Sequence, residues 1–264
     1  MEFGPTEIVL DPLRQARVAE CAAQSRGVWR ALASLPTTDV VVDCPVLVAL
    51  HRASVSGVYG TFAANDPRER AQTIFEFMHR RALTAGFRQE STNLAGALDE
   101  GRFNCVSSTI LFLTLARGCG LNVEAVAEPA HVFCRLLLDG SSIDVQTTDP
   151  KAFDPDRLLA PATGSAPRPL TERGILALVY YNTGVERLAR REFPEALEAN
   201  ERAVRLDPAH REARANLLAT YNNWAVESVR QGRFRQAAGL IQAARALAPD
   251  HAHLTTNLRS VYQQ

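Results

Sequence analysis

Residues 104–148 read NCVSSTILFLTLARGCGLNVEAVAEPAHVFCRLLLDGSSIDVQTT, and this stretch decides the fold prediction. Asn104 is a good helix N-cap, and the apolar run behind it stops at Gly118 and Gly120. The run is apolar on nearly every side, which predicts burial inside a domain. The sequence therefore predicts a buried helix with Cys105 in its first turn.

Three strand patterns follow, over residues 121–127, 131–138 and 141–148. Asp139 and Gly140 separate the last two patterns, and Asp-Gly between two such runs predicts a hairpin with a two-residue loop. In that hairpin, facing positions sum to 279, because residue 138 faces residue 141. His131 then shares a face with Gln146 and Asp144, and both polar side chains point toward its imidazole.

Cys105 and His131 have the residue types of a nucleophile and a base. A thiol attacks a carbonyl as the thiolate, which needs an adjacent imidazole, and a third polar group fixes the tautomer of that imidazole. Unpaired N–H groups and the positive dipole at a helix start favour a thiolate at Cys105, and they offer donors to an oxyanion. Asn104 is a further candidate for the oxyanion site.

Asp144 and Gln146 compete for the third position. Gln146 is diagonal to His131 by about one pleat repeat and Asp144 by about two, so distance favours Gln146. A carboxylate also stabilises the imidazolium that catalysis creates, so charge favours Asp144. We take Cys105, His131 and Asp144 as the predicted catalytic triad and keep Gln146 as the alternative orienting residue.

The order of these residues resembles that of the transglutaminase-like cysteine enzyme superfamily. AQTIFEFMHRR resembles the helix before the nucleophile, NLAGALDEGRFNC its approach, and HVFCRLLLDGSSIDVQTT the His/Asp hairpin, so the resemblance covers roughly residues 70–150. It implies an α+β fold with a papain-like core, and we assign residues 1–150 to this catalytic domain. It departs from better-known members in having no Trp after His131.

The resemblance implies a cysteine hydrolase or acyltransferase that acts on peptide or Gln-side-chain amides. Proteolysis, deamidation and cross-linking share every step up to the thioester, so all three stay open. A runner-up hypothesis is a catalytically inactive adaptor that binds peptides or protein partners through its repeats, since the resemblance implies that Gln146 lies about where the acid of better-known members often falls.

A repeat follows in the second half of the chain, which matches itself from Tyr180 onward at a shift of 41 residues. The matched pairs include Asn182/Asn223, Phe193/Phe234, Ala196/Ala237, Leu206/Leu247 and His210/His251. Such a period predicts stacked helical hairpins, and FPEALEANERAVRLDP resembles the second helix of a tetratricopeptide repeat. The period exceeds the usual one by about seven residues, or two helical turns, which predicts a longer first helix.

We assign residues 172–264 to this repeat array, with a third copy beginning over residues 254–262. The proline-rich residues 151–171 are predicted to be an extended linker. On the concave face of the array, five residues could bind an extended peptide or partner: Tyr181, Asn182, Arg187, Asn222 and Asn223. The alternative is that they only pack repeat against repeat.

Composition limits the remaining classes. The 264 residues include 29 basic and 29 acidic ones, so no global field favours nucleic acid or a membrane surface. No apolar run reaches the roughly 20 residues that cross a bilayer, and residues 1–20 lack the basic and apolar pattern that we would expect of a signal peptide. The five Cys lack disulfide or metal-ligand spacing. We expect a cytoplasmic protein with a protein or peptide substrate and neither cofactor nor metal.

Overall fold

The computed structural model describes residues 66–94, 97, 100–151, 153 and 167–249. The chain divides into two compact units between Glu172 and Arg173. The first unit mixes helices and strands and the second is helical in its described part, so the coarse α+β class is confirmed. Residues 1–65 of the predicted catalytic domain and the third repeat copy over 254–262 lie outside the described residues. Within these ranges, no helix combines the length and apolarity needed to span a membrane.

The first unit has these elements in chain order: α1 (Pro67–Arg81), β1 (Gly86–Phe87), β2 (Arg102–Phe103), α2 (Cys105–Gly118), β3 (Val123–Glu128), β4 (His131–Leu138), β5 (Ser141–Val145) and β6 (Arg168–Leu170). Strands β1 and β2 pair in parallel just before α2. The other four form an antiparallel sheet in the order β5-β4-β3-β6.

The core of the first unit lies between α2, the sheet and α1. Helix α2 packs against β4 and β3 and contacts α1 on another side, which is why its sequence is apolar nearly all round. The rings of Phe75 on α1 and Phe112 on α2 meet edge to face, 6.4 Å apart between centroids. Buried Cys134 on β4 contacts the Thr109 carbonyl of α2. The even-numbered residues of β4 therefore face the helix.

The β4–β5 hairpin has the predicted register. Leu138 faces Ser141 and Cys134 faces Val145, so facing positions sum to 279 (138 + 141 and 134 + 145). Gly140 takes a φ of 79°, a left-handed conformation that glycine adopts without steric cost. Strand β5 ends at Val145 and not at residue 148, because the next buried residue, Thr147, bonds to α2.

Strand β6 corrects the predicted linker. Residues 151–171 were expected to be an extended connector, yet Arg168–Leu170 pair with β3 at one end of the described sheet. In an antiparallel ladder, hydrogen-bonded pairs alternate with non-hydrogen-bonded ones. The register puts Pro169 opposite Val126 in a non-hydrogen-bonded pair, so its missing N–H removes no bond to β3. Over residues 168–170, the prolines indicated the extended backbone but not its pairing, and residues 152 and 154–166 of the predicted linker lie outside the described residues.

The second unit consists of helix pairs in its described part: α3 (Glu172–Ala189, which begins at the unit boundary), α4 (Phe193–Leu206), α5 (Arg211–Arg230) and α6 (Phe234–Leu247). Both ends of α4 and α6 differ by 41 residues, as the sequence repeat requires (193 to 234, 206 to 247). The first helix of each pair has 18 or 20 residues and the second has 14. The extra length lies in the first helix, as predicted.

A buried asparagine joins three of these helices. The Asn200 side chain on α4 donates to the Thr220 hydroxyl at 3.0 Å and accepts from the Asn216 amide at 2.8 Å, both on α5. On α3, a Cβ at Gly184 would come within 2.8 Å of Asn200 Nδ2 and still closer to its Oδ1. Gly184 is therefore needed for the close approach of α3 to α4.

Gly184→Ala should destabilise the protein although alanine favours helices. Overpacking costs about 1–3 kcal/mol, and three Asn200 atoms within 2.8 Å of the added Cβ place this site toward the upper end, above the roughly 1 kcal/mol of helix propensity that alanine adds. Gly239→Ala on α6 is the matched control, since its Cβ would meet nothing within 4 Å. Urea unfolding should give a lower free energy of unfolding for Gly184→Ala and a higher one for Gly239→Ala. Equal stabilisation by both would contradict the close approach.

Candidate active site

Cys105 is the first residue of α2, as the sequence predicts, and its side chain is partly buried. The preceding residue, Asn104, caps the helix: its Oδ1 accepts from the N–H groups of Val106 at 2.9 Å and Ser107 at 3.1 Å. Ser107 completes a capping box by accepting from the Asn104 N–H at 3.0 Å. This cap fixes the point at which Cys105 enters the helix.

The amide protons of Asn104 are already used. Its Nδ2 donates to the Gln89 carbonyl at 2.9 Å and to the Thr92 hydroxyl at 2.6 Å. A side-chain amide has only two N–H donors, and Asn104 is buried, with 2% of its surface exposed. The expectation that Asn104 holds an oxyanion is therefore corrected. Its role is to tie the helix start to the preceding loop.

The end of the β4–β5 ladder brings the thiol to β4. The last pair of this ladder is Cys134 with Val145, and the next even-numbered residue of β4, Val132, turns its polar backbone groups to α2. Its carbonyl accepts from the Thr109 hydroxyl at 3.3 Å, and its N–H faces the Cys105 sulfur. Because Val132 follows His131 directly, the helix start lies against the residue next to the predicted base.

Three buried hydroxyls bond the segment after β5 to the first turns of α2. Thr147 Oγ1 lies 2.8 Å from Ser108 Oγ and 3.1 Å from Thr109 Oγ1, and each of the three residues is at most 1% exposed. Ser108 also donates to the Asn104 carbonyl at 2.8 Å. Buried polar groups are stable only when they are paired, so this cluster fixes the segment after β5 against α2. Gln146 is the residue just before Thr147.

The surroundings of the Cys105 thiol differ from those that the sequence predicts. Burial raises the pKa of Cys105, and the N–H groups of Val132, Cys105 and Val106 oppose that shift only in part. The helix start was expected to lower this pKa, but loss of water disfavours a thiolate more than these dipoles favour it. The surroundings of the sulfur therefore favour the thiol over the thiolate, so attack requires a base to remove the proton.

Gln146 is the partner of His131. Its Oε1 lies 2.7 Å from His131 Nε2. The register explains this choice, because position 146 is diagonal to position 131 on the same face of the hairpin. The amide oxygen can only accept, so Nε2 carries the proton when His131 is neutral. The lone pair is then on Nδ1, which is the nitrogen that can act as a base.

Asp144 is bound elsewhere, which corrects the predicted triad. It faces Arg135 directly across the ladder, and its two carboxylate oxygens accept from Arg135 Nε at 2.6 Å and Nη2 at 2.8 Å. A two-pronged Arg–carboxylate pair is geometrically specific, so it fixes where the Asp144 carboxylate points. Asp144 lies on the same face of the hairpin as His131, as predicted. Its carboxylate is paired with Arg135 and not with the imidazole. Among the predicted site residues, the structure thus brings together His131 and Gln146.

Sequence reasoning missed the backbone of Val132 and the hydroxyls of Thr109 and Thr147. Polar residues inside an otherwise apolar helix were the available signal for Thr109. It also missed Glu128, which pairs with His131 across the β3–β4 ladder. The two residues between them form a loop in which Ala130 takes a φ of 61°, and no Gly or Asn marked it.

His79 packs near the start of α2 as a half-buried ring. It lies 4.6 Å from the Phe75 ring and 5.9 Å from the Phe103 ring. Burial lowers its pKa, and the Asp149 carboxylate and the Thr147 backbone oppose that effect. Its Nε2 is buried without a protein hydrogen-bond partner in the described part of the chain. His79 is therefore a ring that packs against the core, and its burial favours the neutral form.

The five predicted partner-binding residues have different surroundings. Tyr181 packs on the His210 ring at 4.9 Å, and Arg187 pairs with Glu192 at 2.6 Å. The other three are asparagines: half-buried Asn182, half-buried Asn222 and exposed Asn223. Asn222 Nδ2 donates to Asn223 Oδ1 at 3.4 Å. Tyr181 and Arg187 thus contact other parts of the array, whereas Asn223 offers an accessible amide.

Comparison of the chain with protein-family models, curated proteins and solved structures found no match. Among the described residues, no group of three His, Cys, Asp or Glu side chains is arranged to hold a metal ion. The chemistry of the site is therefore argued from its own geometry.

Iodoacetamide should modify Cys105 before Cys134, which is fully buried and whose thiol pKa burial raises far above its usual range. A raised pKa keeps a thiol protonated at neutral pH, so modification of Cys105 at pH 7 depends on a base. We expect His131→Ala to slow that modification by about ten-fold or more at pH 7, and less at alkaline pH. Mass spectrometry of tryptic peptides gives both rates. An unchanged rate at pH 7 would rule out proton transfer to His131.

Proposed function

We propose that the chain is a cysteine-dependent hydrolase or acyltransferase that acts on peptide or Gln-side-chain amides. Cys105 is the nucleophile, His131 the base, and Gln146 the residue that orients the base. The single observation that carries the proposal is the bond between His131 Nε2 and Gln146 Oε1, because it leaves the basic nitrogen free to accept a thiol proton.

In this proposal, His131 Nδ1 takes the proton of the Cys105 thiol as the sulfur attacks the amide carbonyl. The carbonyl π electrons move to oxygen, and collapse of the oxyanion breaks the C–N bond. The imidazolium returns its proton to the leaving amine. A thioester at Cys105 remains, and water or a second amine resolves it. Both outcomes use the same residues.

Gln146 is neutral, so it places no negative charge beside the His131 imidazole. A neutral carbonyl fixes the imidazole tautomer, but it stabilises an imidazolium less than a carboxylate would. Glu128, opposite His131 in the ladder, is the nearest acid in the register. The arrangement supports a Cys-His-Gln site and no longer the Cys-His-Asp triad that the sequence suggested.

The second candidate is an adaptor without catalysis. The partial burial of the Cys105 thiol, which disfavours a thiolate, and the neutral Gln146 favour it. The two functions differ in whether a covalent thioester forms. Incubation with a p-nitrophenyl ester, followed by mass spectrometry, should show an acyl group on Cys105 of the wild type and none after Cys105→Ser. A protein whose Cys105 is alkylated but never acylated would be the adaptor.

Gln146→Ala should slow acylation of Cys105 by about one to two orders of magnitude, because His131 loses the group that fixes its tautomer. Asp144→Ala is the matched control on the same strand face and removes only the ion pair with Arg135. It should change the rate by less than about three-fold, since partly exposed ion pairs contribute little. Stopped-flow measurement of p-nitrophenol release gives both rates. The reverse ranking would restore Asp144 as the orienting residue.

We further propose that the helical array, which resembles tetratricopeptide repeats in sequence, captures the protein substrate or a partner. Asn223 and Val226 are exposed on α5, and Val226 has 48% of its surface accessible. They lie three residues apart and so are neighbours on the helix surface. Val185 on α3 occupies the position equivalent to Val226, 41 residues earlier (226 − 185), and is also exposed. Amide and apolar groups together suit an extended peptide.

Asn223→Ala combined with Val226→Asp should raise the KM for a protein substrate several-fold and leave ester turnover unchanged, because a small ester does not need the array. Arg235→Ala, an exposed change on α6, is the control and should affect neither reaction. Equal effects of all three substitutions on the protein substrate would show that this face of α5 has no specific role.

A further inference from the structure

We propose that the backbone N–H of Val132 donates to the oxyanion, together with the N–H of Cys105. The inference rests on the proposed function and deepens it by assigning the second donor of the oxyanion site. It replaces the role that the sequence suggested for the Asn104 amide.

The backbone N–H and carbonyl of Val132 point past the end of β5 toward α2. Odd-numbered residues of β4 turn their N–H and carbonyl toward β3, as the bond from Leu137 N to the Asn122 carbonyl at 2.8 Å shows. Even-numbered residues turn theirs toward β5. The backbone groups of Cys134 face Val145, the last residue of β5. Val132 lies beyond this pair, so its backbone groups point past the end of β5. The Val132 carbonyl is taken by Thr109, and its N–H faces the Cys105 sulfur.

The other donors near the sulfur are committed. Asn104 Nδ2 uses both protons on Gln89 and Thr92, and the Val106 N–H donates to Asn104 Oδ1 at 2.9 Å. Cys105 is the first helical residue, and an N–H at that position has no acceptor within its own helix. The N–H groups of Cys105 and Val132 are the pair that remains beside the sulfur.

The chemistry places the oxyanion within reach of both donors. When the Cys105 sulfur bonds to the carbonyl carbon, the carbonyl oxygen is one atom beyond the new S–C bond. The sulfur loses its proton to His131, so the negative charge passes from sulfur to this oxygen during attack. A backbone donor fixed by a sheet and a helix needs no reorganisation to follow that charge.

The test replaces single N–H groups by ester oxygens in the full-length protein. α-Hydroxyisovaleric acid at position 132 removes the Val132 N–H and keeps the side chain. The same substitution at Val145 is the matched control. Val145 pairs with Cys134, two residues from Val132, so the control removes an N–H from the neighbouring part of the ladder and leaves the surroundings of the Cys105 sulfur unchanged. Each protein is given two probes: iodoacetamide at alkaline pH, which needs a thiolate but forms no oxyanion, and a p-nitrophenyl ester, which needs both.

We expect the ester at position 132 to slow acylation by on the order of 100-fold and alkylation by less than about three-fold, with the Val145 ester near wild type in both. Equal loss with the two probes would assign the Val132 N–H to the thiolate alone and overturn the proposal. Unchanged acylation would overturn it as well. Wild-type protein that is alkylated at Cys105 but never acylated would overturn the proposed function and this inference with it.

A second measurement needs no variant. The infrared carbonyl band of a cinnamoyl thioester at Cys105 should lie at lower frequency in the folded acyl-enzyme than in the same protein unfolded in urea, since two N–H donors weaken the C=O bond. An unshifted band would mean that no backbone donor reaches the acyl oxygen, which would contradict the assignment even if the backbone ester fails to fold.

Discussion

The side chain of Asn104 is the contact on which the first unit depends. One buried amide caps α2, bonds to the Gln89 carbonyl and to Thr92 in the loop before it, and thereby sets the position of Cys105. Replacing it with alanine would leave buried donors and acceptors without partners, at a cost of about 1–3 kcal/mol for each such group. The same bonds that make Asn104 indispensable for the fold remove it from the chemistry. A residue next to a nucleophile can thus position it without taking part in the reaction.

The sequence was sufficient for the hairpin and insufficient for its chemistry. Asp139-Gly140 indicated the loop, and the loop fixed a register that the structure confirms. The same arithmetic places Arg135 opposite Asp144, because 135 and 144 also sum to 279, so the ion pair could have been read from the sequence. The preference for a carboxylate beside His131 obscured that signal. The charge of a carboxylate favours it as the third residue only when no positively charged side chain lies closer to it than the imidazole does.

Other features depend on packing that one sequence does not contain. Dipoles at a helix start favour a thiolate, but their effect on the pKa of Cys105 is smaller than that of burial, and burial depends on everything around the sulfur. Strand β6 was hidden for a similar reason, because extended backbone rich in proline looks the same whether or not a neighbour pairs with it. In the helical unit, the repeat predicted the 41-residue spacing of equivalent helices, while the close approach of Gly184 to Asn200 depends on packing between helices that no sequence pattern indicates.

The position of Pro169 has a consequence for the backbone donors of β6. The strand at one end of a sheet presents unpaired N–H and carbonyl groups to which a strand of another molecule can bind. In the register of β6, the nitrogen of Pro169 points away from β3, so this outer edge lacks a donor where an incoming strand would need one. Pro169 thus gives β6 no backbone N–H on the side away from β3, whereas any other residue at this position would place a donor there.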